Sequence, residues 1–196
     1  MGFTTGILLF DDAEELDFAG PWEVFGMARK LRDQGDRLLL LAERDAPVRC
    51  AKLMRVLPDL TFAQAPRLDV LLVPGGIGTR REVKNPAMIE FLRRAGAEAQ
   101  WVTSVCTGSL LLHEAGLARG RRVTTHWTFI QQLRDRGDVT VLENERYVRD
   151  GNVVTSAGVS AGIDMALWLT GQMWGEEFAR KVQKQIEYFP EPPYPG

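Results

Sequence analysis

Residues 104–109 read Ser-Val-Cys-Thr-Gly-Ser, with the apolar Trp101-Val102-Thr103 before them and Leu110 to Gly116, a helix-like run, after them. With a strand over Trp101–Val105 and a helix from Thr107, Cys106 stands on a sharp strand-to-helix turn that presents a nucleophile, and Gly108 allows close packing just behind it. A helix N-terminus adds partial positive charge and free N–H groups, which lower a thiol pKa. A small buried structural cysteine fits the same local sequence. What decides between the two is which other groups share the turn.

Four other features compete for a chemical role. Pro74-Gly75-Gly76 follows an apolar run, where Gly75 and Gly76 can open backbone N–H groups to a ligand as an oxyanion-type cradle, or form an ordinary turn. Among the acids of residues 11–17, Asp17 alone has apolar neighbours on both sides, Leu16 and Phe18. It is either a helix cap or, held near a thiolate in an apolar pocket, a carboxyl of raised pKa able to shuttle a proton. The chain has two histidines. His113 lies two helical turns beyond Cys106, about 10 Å along the axis, too far to be its base. His126 begins the segment after the next strand, as a partner of the cysteine or as a histidine bonded into the structure. Cys50, in an expected strand, reads as structural. No Cys, His and Asp cluster has metal-ligand spacing, and neither a phosphate-binding P-loop nor a complete Gly-x-Gly-x-x-Gly occurs.

The elements that must position these residues follow from hydrophobic patterning. Buried strands are expected at Ile7–Phe10, Leu38–Leu41, Val70–Val73 and Trp101–Val105. Shorter ones are expected within Arg49–Leu57 and at Val123–Thr125, Val139–Leu142, Arg146–Val148 and Val153–Thr155. Asp150-Gly151-Asn152 joins the last two as a hairpin turn. Helices are expected from Pro21, from Asn85-Pro86, after Cys106, after His126, and over Ala161–Trp174 and Glu176–Tyr188. Uninterrupted apolar strands alternating with helices imply a mostly parallel sheet covered on both faces, hence an α/β fold in one domain over residues 1–196. The proline-rich tail 190–196 suits neither helix nor interior strand. In such folds ligands gather at the carboxyl ends of the strands. That rule brings Asp11–Asp17, Pro74–Gly78, Cys106, His126 and Ala157–Ser160 to one edge.

Bulk composition narrows the classes of partner. The 196 residues are 45% hydrophobic and 26% charged, with a formal net charge of −2, so no broad basic surface for nucleic acid or anionic membrane is expected. Two cysteines make no disulfide framework. The opening MGFTTGILLFDDAEE lacks a basic leader, Gly6 stands where a myristoylation motif needs Ser or Thr, and no apolar run approaches the ~20 residues of a membrane span. The expectation is a cytoplasmic protein.

Four blocks taken together, LDFAGPWEVF (16–25), DVLLVPGGIGTR (69–80), VTSVCTGSLLLHEAGLARGRRVTTHW (102–127) and VTSAGVSAGIDMALWL (154–169), resemble in order the signatures of the ThiJ/PfpI superfamily. The resemblance implies a flavodoxin-like α/β sandwich, a homodimer, and a cysteine in a strained elbow. Within that superfamily, Asp17 in its LD…GP setting and Thr107 directly after the cysteine resemble the isocyanide hydratases. Those imply Cys106 as nucleophile, Asp17 as general acid/base and Thr107 as an organising neighbour, with Gly75, Gly76 and Gly158 as backbone elements of the pocket. The substrate implied is a small isocyanide, converted without cofactor or metal, in a pocket to which Phe18, Trp22, His126 and Trp127 contribute. The peptidase branch has His where Thr107 stands, and the deglycase branch usually has Glu where Asp17 stands. Residues 29–37 and Ala51–Arg55 depart from the hydratase pattern. Two alternatives carry the same blocks: the sensor half of AraC-type regulators, which adds helix-turn-helix motifs not found in these 196 residues, and thiol enzymes acting on glyoxals or oxidised to a sulfinate.

Overall fold

Leu- and Val-rich strands with apolar residues on both faces need cover on both sides, and the chain supplies it with two sets of helices. The computed structural model describes residues 2–194. In chain order the elements are β1 (Thr4–Leu8), α1 (Glu15–Arg32), β2 (Arg37–Ala42), β3 (Val48–Arg49), β4 (Arg55–Val56), β5 (Leu60–Thr61), β6 (Val70–Val73), α2 (Thr79–Glu82), α3 (Pro86–Glu98), β7 (Trp101–Val105), α4 (Gly108–Glu114), β8 (Arg122–Val123), a 3-10 turn (Trp127–Phe129), α5 (Ile130–Arg134), β9 (Thr140–Val141), β10 (Tyr147–Asp150), β11 (Val153–Ser156), α6 (Ala161–Trp174) and α7 (Glu176–Gln185).

The main sheet has seven strands in the order β10-β11-β7-β6-β1-β2-β5. Every pairing in it is parallel except β10 with β11, the hairpin across Asp150-Gly151-Asn152. Strand residues alternate between two cores. Leu71, Val73 and Val102 face Met88, Leu92, Leu111 and Leu133 of α3, α4 and α5. Val70, Leu72 and Val105 face Phe18, Val24, Met165 and Leu169 of α1 and α6. The patterning implied a parallel sheet covered on both faces, and the result is the flavodoxin-like α/β sandwich of the resemblance. Strand order reverses direction at β1 and β6, so the segments after β1, β6, β7 and β11 converge at one edge.

Several elements differ from their sequence expectation. Helix α1 starts at Glu15, not Pro21, and Pro21 lies inside it. The proline withholds the amide that would bond the Asp17 carbonyl. Packing outweighs that loss: a Cβ on Gly20 would lie 2.8 Å from Ile163 Cγ1, and one on Gly162 would lie 3.3 Å from Pro21 Cγ, so α1 and α6 are in close contact. Strand β1 ends at Leu8, although the Leu9 amide still bonds Leu41 O at 2.8 Å. Strand β8 ends at Val123 because Thr124 and Thr125 turn their hydrogen bonds toward β11 and Cys106. Strand β5 carries too short an apolar signal to be expected from sequence. Helix α3 begins as expected, with Asn85 accepting from the Ala87 amide at 3.0 Å. The tail from Pro190 to Tyr194 forms neither helix nor strand, and the rest of 190–196 lies outside the described residues.

Leu111 is fully buried on α4, the helix that follows the cysteine turn. The expected cost of Leu111→Ala is about 2–5 kcal/mol in a urea unfolding titration; a loss below about 1 kcal/mol would contradict the packing described.

Candidate active site

At the end of β7 the chain turns sharply through Cys106, which holds φ +56°, a left-handed conformation unusual for a non-glycine residue. Its backbone is tied on both sides. The amide is shared between Ser156 O (3.2 Å) and Ala157 O (3.1 Å). The carbonyl accepts from Ser109 Oγ (3.1 Å) and Thr125 Oγ1 (3.0 Å). These four bonds hold the strained turn with the thiol almost buried, at 7% exposure.

Asp17, in the first turn of α1, has no exposure to solvent. Its Oδ2 accepts the Gly75 amide at 2.8 Å, while Oδ1 is buried without a hydrogen-bond partner. Burial pushes the carboxyl up to about 8, and the nearby Glu14 charge adds to this. The Gly75 amide, Lys52 and the Cys106 thiol oppose it. The thiol is itself pushed up to about 12, first by burial and then by the Asp17 charge, against hydrogen bonds from the Thr107 amide and hydroxyl and the Val159 amide. The expected lowering by the helix N-terminus is therefore outweighed. Helix α4 is short, and desolvation next to a carboxyl acts more strongly than its dipole.

The two glycines do not form the open cradle expected of them. The Gly75 amide is taken by Asp17, and the Gly76 amide donates to Thr107 Oγ1 at 3.1 Å. A Cβ on Gly75 would stand 2.5 Å from Thr107 N and 2.9 Å from Asp17 Oδ2. Only glycine lets the loop pass between them, so Gly75 and Gly76 position the carboxyl and Thr107. Two residues at the end of the 69–80 block, not singled out individually from the sequence, complete this network. Thr79 Oγ1 donates to Gly76 O (2.8 Å) and lies 3.2 Å from Thr107 Oγ1. Arg80 Nη1 donates to Gly76 O (2.9 Å), and its guanidinium lies 4.8 Å from the centre of the Phe129 ring.

His126 lies at the rim, bonded to Thr128. Its Nδ1 is 2.8 Å from Thr128 Oγ1 and accepts the Thr128 amide, capping the 3-10 turn. It makes no hydrogen bond to Cys106 among the described residues. Its ring edge lies over Gly158, where a Cβ would be 2.2 Å from His126 Cδ2. A groove of about 370 Å³ runs from this point, lined by Thr125, His126, Trp127, Ile130, Arg146 and Val159 among others. Trp127 is 76% exposed at its edge. Phe18 and Trp22, expected in the pocket, pack instead into the core beneath α1 and α6. His113 is buried on α4 and paired with Asp138, apart from the thiol. A cavity of about 550 Å³ lies beyond the ends of β1 and β2, and Cys106 lines neither it nor the groove past His126.

Strand-end topology brings Ala157–Ser160 to this edge but does not single out Val159. Its φ of +47° is rare for a β-branched residue, and its amide faces the sulfur. Nothing in hydropathy or spacing signals a strained valine. The departing segment Ala51–Arg55 forms the tip of the β3–β4 hairpin, bonded to the start of α1 through Ala51 N to Ala13 O (2.9 Å) and Lys52 N to Glu15 Oε1 (2.6 Å). Among the described residues, no three His, Cys, Asp or Glu side chains converge as metal ligands would. Nor is any helix among them long and apolar enough to cross a membrane.

A carboxyl with a folded-state pKa near 8, above its ordinary 3.8, binds its proton more tightly when folded. The stability it gives is complete below about pH 4 and is lost as pH rises toward about 8. Asp17→Asn removes this dependence, so its melting temperature is expected to fall less than the parent's between about pH 5 and pH 8. Parallel curves would show that Asp17 is ionised in the folded protein.

The sequence matches the DJ-1/PfpI family over residues 5–172. It is 40% identical over 195 residues, 99% of this chain and 82% of the relative, to isonitrile hydratase from Pseudomonas putida. It is 30% identical over 91% of its length to the transcriptional regulator CdhR from Pseudomonas aeruginosa, of which it covers 53%. Among solved structures, a ThiJ/PfpI family protein from Pseudomonas syringae superposes with a TM-score of 0.91 at 32% identity, covering 99% of this chain and 78% of that one. The carboxyl-and-cysteine edge described above thus lies within the span of that match, and the chain belongs to the DJ-1/PfpI family.

Proposed function

We propose that this protein hydrates an isocyanide to an N-formamide, with Cys106 as nucleophile and Asp17 as the group that moves protons. The observation that carries the reading is the buried Asp17 carboxyl within reach of the Cys106 thiol. The similarity to a hydratase acting on isonitriles supports it. An isocyanide carbon bears a lone pair and is also open to a soft nucleophile, so the addition asks for an acid and a thiol together.

Near neutral pH the raised carboxyl carries its proton. Asp17 gives that proton to the terminal carbon as sulfur bonds to the same atom, and the thiol proton passes to the carboxylate. The product is a covalent thioimidate with Asp17 protonated again. Asp17 then protonates the imidate nitrogen and takes a proton from the water that adds to the carbon. The C–S bond breaks, the thiol is re-formed and the formamide leaves. The sum is one isocyanide and one water to one formamide, and no step calls for a metal or cofactor. Thr107, where a peptidase would carry histidine, keeps the site a Cys–Asp pair. The groove past His126, Trp127 and Gly158 would take the substituent.

A homodimer fits the apolar surface beside this edge. Leu16, Leu53, Met54 and Ile77 are exposed on three segments bonded to one another around residues 12–16. The match to half of CdhR favours a second reading, a ligand-binding domain without turnover.

Incubation with an aryl isocyanide, followed by formamide absorbance, separates the two. Turnover is expected, abolished by Cys106→Ala, reduced by about 10²–10⁴ in Asp17→Asn, and falling above about pH 8 as the acid ionises. Binding without formamide, or turnover surviving Cys106→Ala, would overturn the proposal.

A further inference from the structure

The turn 157–160, between β11 and α6, touches Cys106 twice: Ala157 O accepts its amide at 3.1 Å, and the Val159 amide faces its sulfur. Val159 reaches that place only by holding φ +47°. A backbone conformation of this kind costs about 1–3 kcal/mol and persists where the surroundings over-determine it. Neighbouring groups must therefore hold the turn in place.

Arg146, just before β10, grips the turn at both ends. Its carbonyl accepts the Ala157 amide at 2.9 Å. Its Nη2 donates to Ser160 Oγ at 3.4 Å, and its Nε donates to Asp164 Oδ2 at 2.8 Å on the first turn of α6. Tyr188, beyond α7, donates its hydroxyl to Asp164 Oδ1 at 3.0 Å, and Gln183 Nε2 donates to the Tyr188 carbonyl at 3.0 Å. Strand β10, the 157–160 turn, α6 and the segment after α7 are thus joined through one carboxylate.

We propose that Arg146 is a positioning residue for the Cys106 thiol, acting with Asp164 and Tyr188 to clamp the strained Gly158-Val159 turn against the sulfur. The Arg146 side chain is 54% exposed and that of Asp164 28% exposed. A pair this open to water contributes little to global stability. Its contribution is geometric: with the turn fixed, the Val159 amide stays on the sulfur and supports negative charge there; with it released, that support is lost. Arg146 also lines the groove assigned to the substituent, together with Ala157, Gly158 and Val159 of the clamped turn. The proposal rests on Cys106 being the reactive thiol, but not on the identity of the substrate.

The test is the pH profile of Cys106 alkylation by iodoacetamide, with Cys50→Ala as background, for Arg146→Ala, Arg146→Lys and Asp164→Asn. Arg180→Ala serves as control, since it breaks a surface pair with Glu176 remote from the turn. Arg146→Ala and Asp164→Asn are expected to slow alkylation about five- to tenfold near neutral pH and to move the profile upward, with melting temperatures close to the parent's. Arg146→Lys is expected to recover part of the rate. If isocyanide turnover is measurable, kcat is expected to fall more than KM rises. Profiles of Arg146→Ala and Asp164→Asn that superimpose on the Arg180→Ala control would overturn the proposal. Should Arg146→Ala fail to fold, the Asp164→Asn profile decides. A shifted profile in a protein that hydrates no isocyanide would retain the clamp and refute the proposed reaction.

Discussion

Burying a carboxyl with one of its oxygens unpartnered is unfavourable unless that group keeps its proton, and the arrangement around Asp17 depends on this constraint. The first turn of α1 carries the carboxyl into the edge where β6 and β7 end. A glycine there gives up its amide to one oxygen, the other is buried without a partner, and the carboxyl adjoins the Cys106 thiol. The same desolvation acts on Cys106, so burial pushes both groups toward their neutral forms. The chemistry this favours is addition in which proton donor and nucleophile act on one atom.

Around that pair the backbone is under local strain. Cys106 and Val159 both hold positive φ, and the turn around each is bonded to neighbouring segments. Thr125, Ser109 and the end of β11 hold the first; the proposed Arg146 clamp holds the second. Thr107, Thr79 and Arg80 form a third set that fixes the glycine loop. The parallel sheet and its two cores supply the rigidity on which these local arrangements rest.

Much of this was legible in the sequence, for physical reasons that differ by element. Val70–Val73 and Trp101–Val105 are buried on both faces, so their apolar runs mark the strands without ambiguity. Asn85-Pro86 marks a helix start by its own cap chemistry. Asp17 and Cys106 stood out because one is an acid among apolar neighbours and the other sits at a strand-to-helix junction. The start of α1 was misplaced because Pro21 usually opens helices, and only the contact with α6 explains its place inside one. The thiol's raised pKa was missed because burial and the adjacent carboxyl are tertiary facts, whereas the helix end is a local one. Val159 and Arg80 were silent for the same reason: backbone strain and a guanidinium stacked on Phe129 leave no pattern along the chain.

The central claim, that Asp17 is a protonated acid beside Cys106 at neutral pH, is open to direct spectroscopy. Infrared difference spectra between the parent and Asp17→Asn, recorded across about pH 6 to pH 10, isolate this carboxyl. The expected result is a protonated-acid carbonyl band present near pH 6 and replaced by carboxylate bands with a midpoint near 8. Carboxylate bands already complete near pH 6 would contradict it, and would leave the site without the acid on which the proposed addition depends.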